Sequence, residues 1–352
     1  MATATVVAPS ASDNVERQTR FRHWRTPLVS AVIVVLLGLG LLWSIALGNV
    51  AISIGTILAA LLHPGSSGVQ ELVVRTIRLP RALLSAVVGA NMGVSGVLMQ
   101  TITGNPLAAP EILGVSAGAA VVVVGALTFV PGLVGAPVVP LAFAGGAAAG
   151  LLVLTLAGRG QGRVGTVRLA LAGFTIASLL LSVTQGLIIF NDNDTKNVFF
   201  WLVGGVNFAQ WSDVTTALPW AAAGLVGALA LARSLDMLAL GEDIARGLGL
   251  RVQRTRLFGG IVIIGLVAGS VAVAGPITFV GLVVPHIIRR LVGNRHRVVL
   301  PLSALGGATL LVYADIASRF VNPPFEVPAG VVTALIGAPF FIVLARRQRT
   351  VA

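Results

Sequence analysis

Few side chains in this sequence can do chemistry, and their placement says which kind. Arg78 and Arg81 bracket a proline at the start of RLPRALLSAVVGANMGVSGVLMQTITGNPLAAPEILG, an apolar stretch that also carries Asn91, Gln100, Asn105 and Glu111. Lipid offers none of these groups a hydrogen bond, so partners must come from within a bundle or from a water-filled path. Asp315, in LVYADIASR, is the clearest acid inside an apolar run, and Arg319 stands one helical turn away at ion-pair spacing. A single carboxylate of this kind argues against a proton- or sodium-coupled carrier, which needs intramembrane acids. His286, in VVPHIIRR, has no second ligand in view and reads as a packed or hydrogen-bonded histidine. No G-x-x-x-x-G-K-[ST] loop occurs and the only lysine is Lys196, which excludes ATP hydrolysis by that route. H-E-x-x-H and cysteine are both absent, so no catalytic residue, metal site or disulfide is assigned.

The elements that position these groups must be membrane spans. The 352 residues are 56% hydrophobic and only 10% charged, with mean hydropathy +0.95, whereas soluble domains carry roughly 25% charged residues. Apolar runs near the roughly 20 residues a span needs fall at 27–47, 82–102, 112–130, 137–157, 168–190, 214–232, 257–275, 277–292, 300–318 and 329–345. The expected fold is all-α, a polytopic membrane protein with about ten transmembrane helices. A cytoplasmic N-terminal tail is expected over 1–26, a transmembrane domain over 27–347 and a cytoplasmic end over 348–352. The first run is too long for a signal-peptide core and reads as a retained anchor. With both termini cytoplasmic, the outer loops keep only Arg75, Arg78, Arg81, Lys196 and Arg319 of the 24 basic residues. That asymmetry follows the positive-inside rule, so a net charge of +12 speaks for a bilayer and against nucleic acid.

Two patterns shape the bundle. Gly89/Gly93, Gly114/Gly118, Gly146/Gly150 and Gly265/Gly269 have the G-x-x-x-G spacing that lets helix backbones approach closely. Pro106, Pro110, Pro276, Pro285 and Pro339 predict breaks or kinks, either for packing or for a path. The inner loop over 233–256, SLDMLALGEDIARGLGLRVQRTR within it, is too polar to span and reads as one or two short helices. Leu235, Leu238, Leu240, Ile244 and Leu248 give it an apolar face, Gly241, Gly247 and Gly249 give turns, and Glu242 and Asp243 suit a helix start. Such a segment either rests on the lipid surface or docks into another protein.

In order along the chain, RLPRALLSAVVGANMGVSGVLMQTITGNPLAAPEILGVSAGA, FFWLVGGV, GEDIARGLGL, VAGPITFVGLVVPHIIRRLVG, LPLSALGGATLLVYADIASR and VPAGVVTALIGAPFFIVL resemble one family. It comprises the permease subunits of bacterial ABC importers for ferric siderophores and cobalamin (FecCD/BtuC-like), and the resemblance covers roughly residues 28 to 347. It implies the type II ABC importer permease fold: two permease subunits around a central path, two cytoplasmic ATP-binding subunits and an extracytoplasmic substrate-binding protein. The second permease is the same chain or a paralogue. ATP and Mg are bound by the partner ATPase, with no cofactor in this chain.

The resemblance also implies residue roles. Arg78, Arg81 and Arg319 match arginines that meet glutamates of the binding protein at the outer mouth, a task suited to a planar fork. Gly241, Glu242, Ala245 and Gly249 match helices that couple to the ATPase. Asn91 and Gln100 face the central path or neighbouring helices. Thr166 keeps the hydroxyl that relatives place at the turn entering the fifth span, although Val167 follows it. The expected function is passage of an iron(III)–siderophore complex across the bacterial cytoplasmic membrane by a multi-pass subunit that is not itself an enzyme. Cobalamin and haem are alternative cargoes; an ion-coupled secondary carrier and a membrane-embedded enzyme are the competing classes.

Overall fold

The computed structural model describes residues 11–48, 52–63, 68–130, 137–158, 166–189, 201–322 and 325–349, with 11–24, 166 and 347–349 as backbone alone. Lys196, Arg159, Arg163 and the ends of the chain lie outside them. The helices are α1 (Ala11–Ala46), α2 (Ile54–Leu62), α3 (Val69–Thr103), α4 (Val115–Phe129), α5 (Val138–Gly158), α6 (Thr166–Ile189) and α7 (Trp211–Ala230). Then come the short α8 (Ala232–Leu238) and α9 (Glu242–Gly247), followed by α10 (Val252–Ala274), α11 (Val280–Val292), α12 (His296–Ser318) and α13 (Ala329–Arg349). Among the described residues, β pairing is limited to one bridge between Asn322 and Phe325.

Each expected span holds a helix, and eight helices are long and apolar enough to cross a membrane. The other two are shorter, α4 with 15 residues and α11 with 13. At 1.5 Å per residue they reach only about 20 Å, against a hydrocarbon core of about 30 Å. Each follows a proline-marked break. Gly104 and Gly114 take left-handed φ values of 63° and 69° around a 3-10 turn at Pro110–Leu113, and Gly275 and Phe279 do so before α11 at 65° and 67°. The two breaks touch, since a Cβ on Gly281 would lie 2.9 Å from the Pro110 ring. Irregular backbone is thereby covered by protein, as it must be inside an apolar bundle.

Two boundaries differ from expectation. Helix α1 begins at Ala11, so helix continues into the tail expected over 1–26, while the apolar span itself begins at Arg25. Helix α3 begins at Val69, well before 82, and runs through Pro80 because Val74–Arg78 widen into a π turn in which the Leu79 amide donates to the Val74 carbonyl. A proline would clash with the carbonyl four residues back in a regular helix; the wider turn relieves that clash and re-aims Arg78 and Arg81.

Helix α3 is the centre of the bundle, packed along α12, α10, α7 and α11. Its contact with α12 is backbone on backbone: a Cβ on Gly93 would fall 2.0 Å from the Ser303 carbonyl oxygen, and one on Gly89 2.2 Å from that of Gly307. Gly118 and Gly145 join α4 to α5 in the same way. Gly114 is different, because nothing lies nearer than 3.9 Å and its value is the left-handed φ.

Candidate functional site at the two ends of the bundle

At one end, three arginines gather and two of them share one acid. Arg81 Nη2 lies 2.8 Å from Asp315 Oδ1, its Nε donates to the same carboxylate, and its Nη1 lies 2.7 Å from Glu326 Oε2. Arg319 Nη2 reaches Asp315 Oδ2 at 2.5 Å, which is the i,i+4 pair that the spacing suggested. Arg319 also donates to the carbonyls of Ser44 and Leu47, and Arg78 to those of Ile45 and Ala46. Those carbonyls end α1, where the helix leaves acceptors unpaired and its dipole favours cations. Asn207 Nδ2 joins at 3.3 Å from Glu326. A cavity of about 410 Å³ opens beside the cluster, lined in part by Arg78, Arg81, Arg319 and Glu326. The structure thus brings together the three arginines singled out from sequence, but at 9%, 6% and 7% exposure. Their forks are engaged inside the chain and are not held out to solvent, because the α1 carbonyls and Asp315 use them.

The opposite end holds α8 and α9. Gly241 and Gly249 flank α9 at φ 107° and 82°, conformations that favour glycine, and Ala245 is fully buried against Leu238, Leu250 and Val252. The apolar face expected as one divides in two. Leu235 and Leu238 turn inward, whereas Leu240, Ile244 and Leu248 are 58%, 57% and 57% exposed. Glu242 binds Arg246 at 2.5 Å and Arg256 at 3.1 Å, and Arg256 Nε donates to the Ile102 carbonyl in the last turn of α3. Sequence reading left out a second line here. His296 Nδ1 lies 2.7 Å from Asp236 Oδ1 of α8, its Nε2 2.8 Å from Thr101 Oγ1 of α3, and Arg289 Nη2 donates to that same hydroxyl. The partners of His296 are 60 and 195 residues away, so no local pattern marks it.

Asn91 and Gln100 do not face a path in this structure. Both are 2% exposed. Asn91 Nδ2 donates to Ser270 Oγ at 2.9 Å, and Gln100 Nε2 to the Leu282 carbonyl at 3.2 Å and the Gly281 carbonyl at 3.4 Å, the latter lacking its helical donor because residue 285 is proline. They bond to neighbouring helices, the other of the two expected placements. Thr166 is the first residue of α6, and its side chain lies outside the described residues. The polar groups presented outward sit further along α6, of which only 17% is buried. Thr175, Ser178, Ser182 and Gln185 recur at steps of three and four along one face, and all but half-buried Ser178 are exposed. Serine and threonine can bond back to their own helix, but a glutamine amide cannot be left in hydrocarbon, so this face requires protein or water. His286 is packed as expected, its ring edge-to-face with Phe340 at 5.8 Å.

The model of the FecCD transport family matches residues 35–347. The chain belongs to that family. Among the relatives of this FecCD chain, the Fe(3+)-citrate import system permease protein YfmD of Bacillus subtilis is 43% identical, over 91% of this chain and 94% of that one. The Iron(3+)-hydroxamate import system permease protein FhuB of the same organism is 41% identical, over 97% and 90%. The cobalamin import system permease protein BtuC of Halobacterium salinarum is 42% identical, over 82% and 77%. A solved inward-facing structure described as a metal-chelate type ABC transporter superposes with TM-score 0.78 at 30% identity, covering 91% of this chain and 99% of that one. The fold is the ABC importer permease fold, and the FecCD chain is a multi-pass membrane protein that works as a transport permease.

Proposed function

We propose that this FecCD chain passes an iron(III)–siderophore complex across the bacterial cytoplasmic membrane as one of two permease subunits, the second being the same chain or a paralogue. Two cytoplasmic subunits bind and hydrolyse ATP with Mg, this chain carries no cofactor, and a substrate-binding protein delivers the cargo from outside. The observation that carries the reading is the exposed ridge of Leu240, Ile244 and Leu248 on α9 and the turns that flank it. A helix of six residues, pinned by two left-handed glycines and by Glu242 on Arg256, is a rigid knob. Its ridge contributes nothing to this chain's own core, and a cleft in a partner protein is what it fits. The arginine asymmetry puts this end, and both termini, in the cytoplasm. Ferric citrate and ferric hydroxamate, named for two of the relatives, favour an iron chelate over cobalamin.

The opposite end is then the outer mouth. Three arginines against Asp315 and Glu326 leave it positive, and buried Arg319 Nε has no acceptor among the described residues. An acidic group of the binding protein entering the cavity beside them meets a favourable field. The stripe on α6 faces the second permease subunit and the path between them. Cysteines at Thr175, Ser182 and Gln185 of the naturally cysteine-free chain should react with a water-soluble thiol reagent in the assembled transporter, while cysteines at Asn91 and Gln100 stay inert. Reaction at 91 or 100 with α6 silent would move the path into the subunit interior.

The decisive experiment is reconstitution with the ATPase and the binding protein in vesicles, offering ferric citrate, a ferric hydroxamate or cobalamin. ATP-dependent uptake of an iron chelate is expected. Ile244→Glu should weaken ATPase attachment by at least about tenfold, since it places an unpaired charge at the centre of an apolar contact. Full attachment of that variant would exclude α9 as the docking element, and uptake of cobalamin alone would replace the cargo.

A further inference from the structure

The two charged ends lie on the same two helices. Arg81 of α3 meets Asp315 of α12 at one end, and Thr101 of α3 meets His296 of α12 at the other. Between these ties, Gly89 and Gly93 press against Gly307 and Ser303 with no side chain in between. Close-packed backbones cannot slide past one another without opening a gap, so α3 and α12 move as one strut, about 30 Å long between its ties.

The short helices are attached to one end of this strut twice. Asp236 of α8 accepts from the His296 backbone amide at 2.9 Å and from Nδ1 at 2.7 Å, and the His296 ring is almost wholly buried. Thr101 Oγ1 lies 2.8 Å from both the Val97 carbonyl and His296 Nε2; with Nδ1 carrying its hydrogen toward Asp236, Nε2 of the neutral ring is an acceptor and takes the single hydroxyl hydrogen that would otherwise go to that carbonyl. Arg289 then serves the Val97 carbonyl, 3.2 Å from its Nη2. Arg256 makes the second attachment, from Glu242 to the Ile102 carbonyl. Both lines therefore end on adjacent residues of α3. At the far end, Arg81 hands the strut on to Glu326, in the segment leading into α13.

We infer that Asp236, His296 and Thr101 are positioning residues that gear α8 to the α3–α12 strut, so that a displacement of α8 is delivered to the Arg81–Glu326 end. The inference rests on the reading of α8 and α9 as the ATPase contact. None of the three is placed on the path or on the docking ridge; they act through α3. Loss of the line should therefore separate hydrolysis from transport, whereas loss of mere packing lowers stability and both activities together.

The test uses the whole transporter in vesicles, with whichever of ferric citrate, ferric hydroxamate and cobalamin the wild type carries. ATP turnover, cargo uptake and thermal inactivation are measured for each variant. Thr101→Val keeps the shape and removes the hydroxyl; His296→Asn keeps a donor at the Nδ1 position and loses the reach to Thr101. Both should hydrolyse ATP at close to the wild-type rate and carry at least about tenfold less cargo per ATP. Thr101→Ser should restore the ratio. If Thr101→Val does not fold, His296→Gln, which keeps the Thr101 side of the line and drops the ring's bond to Asp236, carries the same expectation. Variants that lose uptake and hydrolysis in parallel with stability, or that keep the wild-type ratio, overturn the gearing alone. A wild-type complex without ATP-driven uptake overturns the parent reading and the gearing with it.

Discussion

Replacing Asp315 with alanine should cost this protein about 3–5 kcal/mol of stability with no partner present, because a buried ion pair loses one member and leaves the other charged. The Asp315 carboxylate is fully buried and is shared by Arg81 and Arg319. Without it, Arg78, Arg81 and Arg319 crowd one end of the bundle against Glu326 alone. The isolated subunit in detergent should lose its native elution profile at a markedly lower temperature than the parent. Asp315→Asn, which keeps an acceptor in place, should fall between the two. Arg81→Met with Asp315→Leu removes the pair together and should recover part of the loss, since an apolar pair of similar volume is often neutral or better. Arg81→Glu is the sharpest case, because it sets a third acid beside Asp315 and Glu326. If that reversal leaves the isolated subunit as stable as the parent and weakens only binding-protein engagement, Arg81 is a docking group and the internal network is secondary.

The bundle was largely readable because membrane spans announce themselves over windows of some twenty residues. Each expected span holds a helix; Pro106, Pro110 and Pro276 fall at breaks whereas Pro285 and Pro339 lie inside helices, and Gly89, Gly93 and Gly118 make close contacts whereas Gly114 and Gly265 do not. What escaped notice was short or distant in sequence. Helix α2 has 9 residues, too few to stand out by composition, and the start of α3 at Val69 is hidden because Glu71, Arg75 and Arg78 interrupt its apolar pattern. Arg78, Arg81 and Arg319 stand out in the sequence, and the structure gathers them at one end of the bundle. Their partners, carbonyls of Ser44 to Leu47 for Arg78 and Arg319 and Asp315, 234 residues away, for Arg81, are set by tertiary packing that no local pattern encodes. Asn91 and Gln100 show the same limit. An amide in an apolar span must find a partner, but the sequence does not say whether Ser270, a carbonyl of α11 or water supplies it. His296 fell outside view for the opposite reason: a histidine at the start of a span looks like an ordinary polar end.

The glycines carry the other large effect, and they divide where their spacing does not. Gly93→Ala should abolish assembly of the native bundle, while Gly265→Ala, at the same G-x-x-x-G spacing, should be tolerated. At Gly93 the added carbon would lie 2.0 Å from the Ser303 carbonyl oxygen and 2.9 Å from its carbon. Both atoms belong to the backbone of α12, which has no rotamer to yield. The helices would have to part by about an ångström or more, breaking the α3–α12 contact along its length, and overpacking commonly costs 1–3 kcal/mol even where side chains can move. Gly96 faces a similar backbone wall on α11, 1.9 Å from the Gly281 carbonyl oxygen. At Gly265 the nearest atoms belong to the Trp220 ring at 3.7 Å, an ordinary contact. Alanine there gains up to roughly 1 kcal/mol of helix propensity and adds a methyl to an existing surface. Expression in membranes followed by thermal inactivation in detergent separates the outcomes: Gly93→Ala and Gly96→Ala lost or aggregated, Gly265→Ala equal to the parent or better. Equal behaviour of all three would mean that α3 and α12 do not meet backbone to backbone. Without that contact the strut, and with it the mechanical link between the two ends, would have no basis.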